Sequence, residues 1–183
     1  MDTSQKSDEA LFQEVQTGRR DAFAILVGRY QHRAFGVALR ILRTHQDAED
    51  ALQQAFLRAY QARAHYKSRW RFSTWFYRIL INACVDELRH RRPMLRLRDQ
   101  EDVSADRPDR RLEQAERDHI LHGALGTVPV EARIVLTLYY GDGRSYREIG
   151  AIRGISVNTV KTHLRRGRLA LRKALRARGV DAS

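Results

Sequence analysis

The sequence predicts an all-α protein in which a flexible linker joins two small helical domains, the C-terminal one containing a helix-turn-helix. Apolar residues recur at steps of three and four in both halves, and no segment alternates apolar and polar residues between hairpin turns. The piece between the halves begins at Pro93, contains Pro108 and has few large apolar side chains to bury. We therefore predict domains at residues 1–92 and 112–178, with residues 93–111 as the linker.

The charge balance favours a polyanionic partner. Among 183 residues, 34 Lys and Arg stand against 22 Asp and Glu, which gives a net charge of +12. Nucleic acid is the commonest partner of so basic a chain, with a merely soluble basic protein as the alternative. The single cysteine, Cys84, excludes an internal disulfide and favours a reducing compartment.

The same composition predicts a cytoplasmic protein without membrane insertion. No apolar run approaches the roughly 20 residues that span a bilayer. The N-terminus contains acids and has no apolar core of the kind found in signal peptides.

The segment Asp47–Tyr60 predicts a helix whose outer face is acidic and rich in amides. Its apolar residues follow the three- and four-residue steps of one helical face, while acids and glutamines occupy the other. Acids in a first turn interact favourably with the helix dipole, by about 0.3–1 kcal/mol each. This interaction alone would explain Asp47, Glu49 and Asp50, with no need for a binding partner. The uncharged Gln53 and Gln54 continue the same surface and have no such explanation. Two interpretations stay open from the residues alone, a stabilised first turn or a docking surface.

A second long helix is predicted over residues 73–92, with Ser73 or Thr74 as its N-cap and Pro93 beyond its end. Arg side chains contact phosphates or guanine and Asn contacts base edges, so a polar line of Arg, Asn and Arg suits nucleic acid. A solvated basic face is the alternative. The apolar side comprises Phe72, Phe76, Ile79, Leu80 and Ala83, and the polar side comprises Arg78, Asn82, Asp86 and Arg89.

The stretch HYKSRWRFS, residues 65–73, interleaves three cations with Tyr66, Trp70 and Phe72. Aromatic rings stack on unpaired bases, and cations hold the nucleic-acid backbone beside them. The alternative is that Trp70 and Phe72 belong to the hydrophobic core, which is our preference for Phe72.

Residues 21–92 resemble the region-2 domain of a bacterial extracytoplasmic-function sigma factor of RNA polymerase. The resemblance rests on DAF..L at 21–26, DAEDALQQAF at 47–56 and FSTWFYRILINACVDELR at 72–89, followed by RR. It implies that the acidic helix docks on the clamp helices of the polymerase β′ subunit, where acids would complement a basic surface. The candidate polymerase contacts are then Asp47, Glu49, Asp50, Gln53, Gln54 and Phe56.

The same resemblance implies that the loop and helix from Tyr66 to Arg92 bind the promoter −10 element. An extruded base would be held in a pocket near the loop, and Asn82 matches a base-contacting position of the family. The candidate −10 contacts are Tyr66, Lys67, Arg69, Trp70, Arg78, Asn82, Asp86 and Arg89.

The C-terminal half predicts four helices, the first two flanking GTVP and the last two forming a helix-turn-helix. Ser145 caps YREIGAIR, Gly154 turns the chain and Ser156 caps the final helix. Between Lys161 and Arg178 the sequence has eight cations and no acid. A recognition helix inserts its N-terminal part into the major groove. The candidate base and phosphate contacts are Ser156, Asn158, Lys161, Thr162, Arg165 and Arg166.

Residues 113–175 resemble region 4 of the same sigma-factor family. This implies binding of the −35 element and contact with the polymerase β flap. A similar helix-turn-helix occurs in response-regulator effector domains, so the N-terminal half decides between the two families.

The function predicted is that of a non-catalytic alternative sigma factor that recognises −35 and −10 elements and promotes DNA opening for transcription in response to stress. Core RNA polymerase, promoter DNA and an inhibitory anti-sigma factor are the partners that the family resemblance implies. We predict no catalytic residue, cofactor or metal, since His119 and His122 lack a clustered third ligand. The rival functions are a stand-alone regulator that dimerises on a palindrome and an enzyme acting on a phosphorylated substrate.

Overall fold

The computed structural model describes residues 6–94 and 120–180, and within these ranges every regular element is a helix, as predicted. An N-terminal unit comprises α1 to α4 and a C-terminal unit comprises α5 to α8. The bounds are α1 Asp8–Gln16, α2 Arg20–Leu42, α3 His45–Gln61, α4 Phe72–Met94, α5 120–126, α6 Val130–Leu136, α7 Tyr146–Arg153 and α8 Val157–Arg176. A 3-10 turn, Arg63–His65, follows α3, and a π-helical turn, Thr137–Gly141, follows α6.

An aromatic cluster fills the core of the N-terminal unit. The ring of Phe12 on α1 lies 4.8 Å from that of Phe72 and 5.1 Å from that of Trp75, between centroids. Phe76 on α4 stacks on Phe56 of α3 at 4.7 Å. Because full burial of such a side chain contributes about 1.5–3 kcal/mol, this cluster fixes α1, α3 and α4 around α2.

The start of α4 differs from the prediction. The helix begins at Phe72, so Ser73 and Thr74 lie inside its first turn instead of capping it. The backbone N–H of Phe72 donates to the carboxylate of Glu9 on α1, at 2.9 Å. A carboxylate satisfies an unpaired N–H at a helix start as a local cap would, and here it comes from 63 residues away.

The predicted linker lies outside the described residues except for Pro93 and Met94, which are the last two residues of α4. The predicted helix end is therefore wrong by two residues. Pro93 has no backbone N–H to bond to the preceding turn, so the last turn of α4 has one hydrogen bond fewer.

Close packing of α8 on α6 organises the C-terminal unit. A Cβ at Gly167 would lie 2.8 Å from Cδ1 of Leu136, so the glycine allows the two helices to approach. Val160 and Leu164 of α8 are buried on the same side, together with Ile149 and Ile152 of α7. The buried apolar residues of both units belong to one continuous cluster.

Candidate protein- and nucleic-acid-binding surfaces

The outer face of α3 is polar and partly acidic. The side chains of Glu49, Asp50, Gln53 and Gln54 are all exposed. The carboxylate of Glu49 lies 3.4 Å from the imidazole of His45 one turn earlier. Leu57 continues this face, with 49% of its surface exposed. Leu57 was not among the predicted contact residues, although it follows Gln53 and Gln54 by one helical turn.

The structure argues against Asp47 as a direct contact. Its residue exposure is 8%, and its carboxylate accepts a hydrogen bond from the Thr44 hydroxyl at 2.5 Å. The Thr44 hydroxyl in turn accepts from the backbone N–H of Asp47. Asp47 therefore stabilises the start of α3 and does not present its charge on the outer face.

Phe56 packs inward. Its ring stacks on Phe76 and meets Phe23 edge-on at 6.2 Å between centroids. The helical spacing of Phe56 suited both the core and the docking face, and these ring contacts place it with the core.

Tyr66 is buried, contrary to the expectation that it offers its ring to a base. It is 4% exposed, and its ring packs against Phe12 at 5.0 Å and Trp75 at 5.1 Å. The hydroxyl donates to the carbonyl of Trp70 at 2.6 Å. Burial raises the pKa of Tyr66 to about 12, so the hydroxyl stays protonated and holds the loop in place.

The loop between α3 and α4 presents an exposed cation–aromatic pair. Trp70 is 50% exposed, and the guanidinium of Arg69 lies 5.5 Å from the centroid of its ring. Lys67 is exposed beside them. A half-exposed indole with adjacent cations can stack on an unpaired base while the cations contact phosphate.

On the outer side of α4, Arg78, Asn82 and Arg89 are exposed as predicted. Asp86 is half-buried, with its carboxylate 2.9 Å from Arg58 of α3 and 3.9 Å from Arg89. An acid would repel phosphate, and this one is already paired. Its observed role is to join α3 to α4.

The helix-turn-helix has the predicted caps and turn. The Ser145 hydroxyl accepts from the N–H of Glu148, and the Glu148 carboxylate accepts from the N–H of Ser145, a capping box that starts α7. Gly154 ends α7 in the left-handed region at φ 68°. A Cβ at Gly150 would lie 2.8 Å from the carbonyl oxygen of Ile155, so only glycine fits where the turn folds back on α7.

The outer face of α8 is exposed and basic. The Ser156 hydroxyl accepts from the N–H of Thr159 at 3.1 Å and starts the helix. The Thr162 hydroxyl donates to the carbonyl of Asn158 at 3.0 Å. All six predicted contact residues are exposed, and the cations that follow them are exposed too: Ser156, Asn158, Lys161, Thr162, Arg165, Arg166, then Arg168, Arg172 and Lys173.

Cys84 is fully buried, and burial raises the pKa of its thiol to about 12. It is a small apolar core residue, as expected. His119 lies outside the described residues. Among those described, no cluster of three His, Cys, Asp or Glu side chains could hold a metal. None of the helices in the described ranges is long and apolar enough to cross a membrane.

Comparison with known proteins agrees with this architecture. The family models for Sigma-70 region 2 and Sigma-70, region 4, match residues 26–93 and 118–171. The RNA polymerase sigma-H factor of Pseudomonas aeruginosa is 34% identical over 184 residues, covering 94% of this chain and 95% of its own. The ECF RNA polymerase sigma factor SigW of Bacillus subtilis is 36% identical over 176 residues, covering 89% of this chain and 94% of its own.

Among solved structures, that of CnrH in complex with the cytosolic domain of CnrY superposes with a TM-score of 0.72. It is 26% identical and covers 94% of this chain and 99% of CnrH. The fold, the two matched regions and the full-length relatives agree with the family resemblance drawn from the sequence motifs. This chain belongs to the extracytoplasmic-function (ECF) sigma factors and is an alternative sigma factor of RNA polymerase.

Proposed function

We propose that this sigma factor divides its contacts among three surfaces. The outer face of α3 docks on the β′ clamp helices of core RNA polymerase. The loop 65–71 and the outer side of α4 bind the −10 element, and the outer face of α8 binds the −35 element. The observation that carries the proposal is the opposite charge of the exposed faces of α3 and α8 within a chain of net charge +12.

The docking surface on α3 consists of Glu49, Asp50, Gln53, Gln54 and Leu57, all of them exposed. Acids complement a basic partner surface, amides add hydrogen bonds, and a half-exposed leucine supplies apolar area that water leaves on docking. Asp47 and Phe56 act indirectly, since one stabilises the helix start and the other holds the helix on the core.

The −10 contacts combine stacking with charge. Trp70 offers its ring to an extruded base, with Arg69 and Lys67 contacting the neighbouring backbone. Arg78, Asn82 and Arg89 contact the DNA strand that runs along α4. Tyr66 and Asp86 position the loop and the helix and make no DNA contact of their own.

The −35 contacts lie in the first three turns of α8, which enter the major groove. Lys161, Arg165 and Arg166 reach base edges or flanking phosphates, and Asn158 and Thr162 add polar contacts. Ser156 caps the helix and directs its N-terminus at a phosphate. The C-terminal unit also contacts the polymerase β flap.

The chain acts in the cytoplasm and carries no catalytic step, because the polymerase makes the phosphodiester bonds. An anti-sigma factor that covers these surfaces is a further partner. The structure of the related CnrH with a domain of CnrY supports a protein partner of this kind.

The test is the double variant Asp50→Lys with Gln54→Lys, both changes at exposed positions. We expect loss of core-polymerase binding, since two cations would face a basic surface, and unchanged affinity for a −35 duplex. The control is Gln13→Lys with Gln31→Lys, two exposed positions on α1 and α2. Unchanged polymerase binding in the α3 variant would overturn the assignment of α3 as the docking face, and equal loss of polymerase and duplex binding would indicate misfolding.

A further inference from the structure

One face of α1 lies against the segment that joins α3 to α4. Glu9, Phe12 and Gln16 follow each other at steps of three and four, so their side chains fall on one side of the helix. Phe12 is fully buried there, whereas Glu9 is half-buried and Gln16 is exposed. Burial of an apolar ring explains Phe12 as a core residue. It does not explain why two polar side chains share its face.

Gln16 binds the backbone at the start of this segment. Its amide Nε2 donates to the carbonyl of Arg63 at 2.8 Å and to the carbonyl of Tyr66 at 3.1 Å. Both N–H groups of the amide are therefore used on the turn that leads into the loop 65–71. These bonds span 47 and 50 residues of the chain, so they fix the loop relative to α1 as well as to α3.

A short path of hydrogen bonds connects Gln16 to Trp70. The Tyr66 hydroxyl donates to the carbonyl of Trp70 at 2.6 Å. The Trp70 N–H donates to the carbonyl of Lys67 at 3.1 Å and closes the turn. The residue that Gln16 holds by its carbonyl is thus the one whose side chain holds the backbone of Trp70. A shift of Tyr66 would move the half-exposed indole.

Glu9 holds the far end of the loop. Its carboxylate accepts from the backbone N–H of Phe72 at 2.9 Å, at the first residue of α4. Every residue from 67 to 71 is exposed, so little apolar burial fixes the span between the two ends. The position of the loop depends on the bonds at its ends, and α1 supplies bonds at both.

We propose that Gln16 and Glu9 are positioning residues for the capture of an extruded −10 base by Trp70. This rests on the proposed function, which assigns the loop 65–71 to the −10 element. A base can stack on the indole only when the ring projects beside the strand. A loop held in that position before DNA arrives binds without the entropic cost of ordering it. Capture of the base therefore depends on α1, although neither side chain stacks on a base.

The first measurement is the affinity of the full-length protein for a fluorescein-labelled single strand of mixed sequence, about 12 nucleotides long. An excess of unlabelled duplex occupies α8. Gln16→Ala should weaken strand binding by about tenfold, the loss expected if the competent loop position falls to about 10% of molecules. The control is Gln13→Ala, the same change at another exposed position of α1, which should bind like the wild type. Wild-type affinity in Gln16→Ala overturns the proposal.

A double-mutant cycle with Trp70 separates positioning from general destabilisation. Trp70→Ala should weaken strand binding by itself, because the stacking surface is lost. If Gln16 acts through the indole, adding Gln16→Ala to Trp70→Ala should change the affinity by less than about twofold. Losses that simply add would overturn the positioning role. If Trp70→Ala binds the strand as well as the wild type, the loop is not the −10 reader, and the proposed function fails at this surface together with the positioning role.

Amide hydrogen exchange reports on the loop without DNA. Gln16→Ala should speed exchange in a peptide covering residues 63–71 and leave exchange in α8 unchanged. Glu9→Gln keeps a carbonyl oxygen that can accept from the Phe72 N–H, so it should keep wild-type exchange and strand binding, whereas Glu9→Ala should lose both. Loop exchange that is the same in the wild type, Gln16→Ala and Glu9→Ala would overturn the proposal.

Discussion

Helices α3 and α8 are built alike and face different partners. Each starts at a hydroxyl cap, Thr44 or Ser156, and each buries one apolar side against its neighbours. Their exposed faces differ in charge, since α3 presents acids and amides and α8 presents cations. Folding needs only the cap and the inner face of such a helix. The charge of the outer face is therefore free to match a partner, protein for α3 and DNA for α8.

The largest effect is expected from reversing charge on α8. Arg165→Glu with Arg166→Glu should weaken −35 duplex binding by about 1,000-fold, or about 4 kcal/mol, because two cations next to phosphate become anions. Fluorescence anisotropy over a salt series measures this, and the salt dependence should become shallower. Polymerase binding should not change. An unchanged duplex affinity would remove these two arginines from the DNA interface.

A substitution on the buried side of α3 should lower stability without altering the charged docking surface. Phe56→Ala removes the ring that stacks on Phe76 at 4.7 Å and should lower the free energy of unfolding by about 3 kcal/mol. Chemical denaturation measures the change. If the variant unfolds like the wild type but docks poorly, Phe56 is a contact residue after all.

Leu57→Ser tests the neighbouring position on the outer face. Leu57 is 49% exposed, so the change should alter the free energy of unfolding by less than about 0.5 kcal/mol. Polymerase affinity should fall by about tenfold, because the apolar area that docking covers is lost. Titration of labelled protein with core polymerase gives the affinity. Docking equal to that of the wild type would place Leu57 outside the interface.

The smallest effect concerns the start of α3. Asp47→Ala removes the carboxylate that pairs with the Thr44 hydroxyl and should reduce stability by about 1 kcal/mol. Asp50→Ala, its exposed counterpart one turn on, should leave stability unchanged and weaken docking. The comparison is made by thermal unfolding and polymerase titration, and a reversal of the two results would contradict the assignment of roles.

Local signals made the helices and the helix-turn-helix predictable from the sequence. Ser145 and Ser156 cap as expected, Gly154 turns the chain in the left-handed region, and the cations of α8 are exposed. Each of these features depends on residues within one or two turns of each other, where helical spacing and side-chain chemistry decide the outcome.

Contacts between distant parts of the chain were not predictable in this way. Glu9 caps α4 from 63 residues away, and Tyr77 meets Asp142 across 65 residues. Tyr66 looked like a stacking residue because aromatic and basic residues alternate around it, yet docking of α1 buries its ring against Phe12. Periodicity assigns residues to faces of a helix, and only the assembled fold decides what covers each face.

One set of titrations tests the separation of the two surfaces most directly. Core polymerase and a −35 duplex are each titrated with the wild type, with Asp50→Lys/Gln54→Lys and with Arg165→Glu/Arg166→Glu. The account predicts that the α3 variant loses only polymerase binding and the α8 variant loses only duplex binding. If either variant, with wild-type helicity, loses both affinities, the two helices do not serve separate partners and the account is wrong.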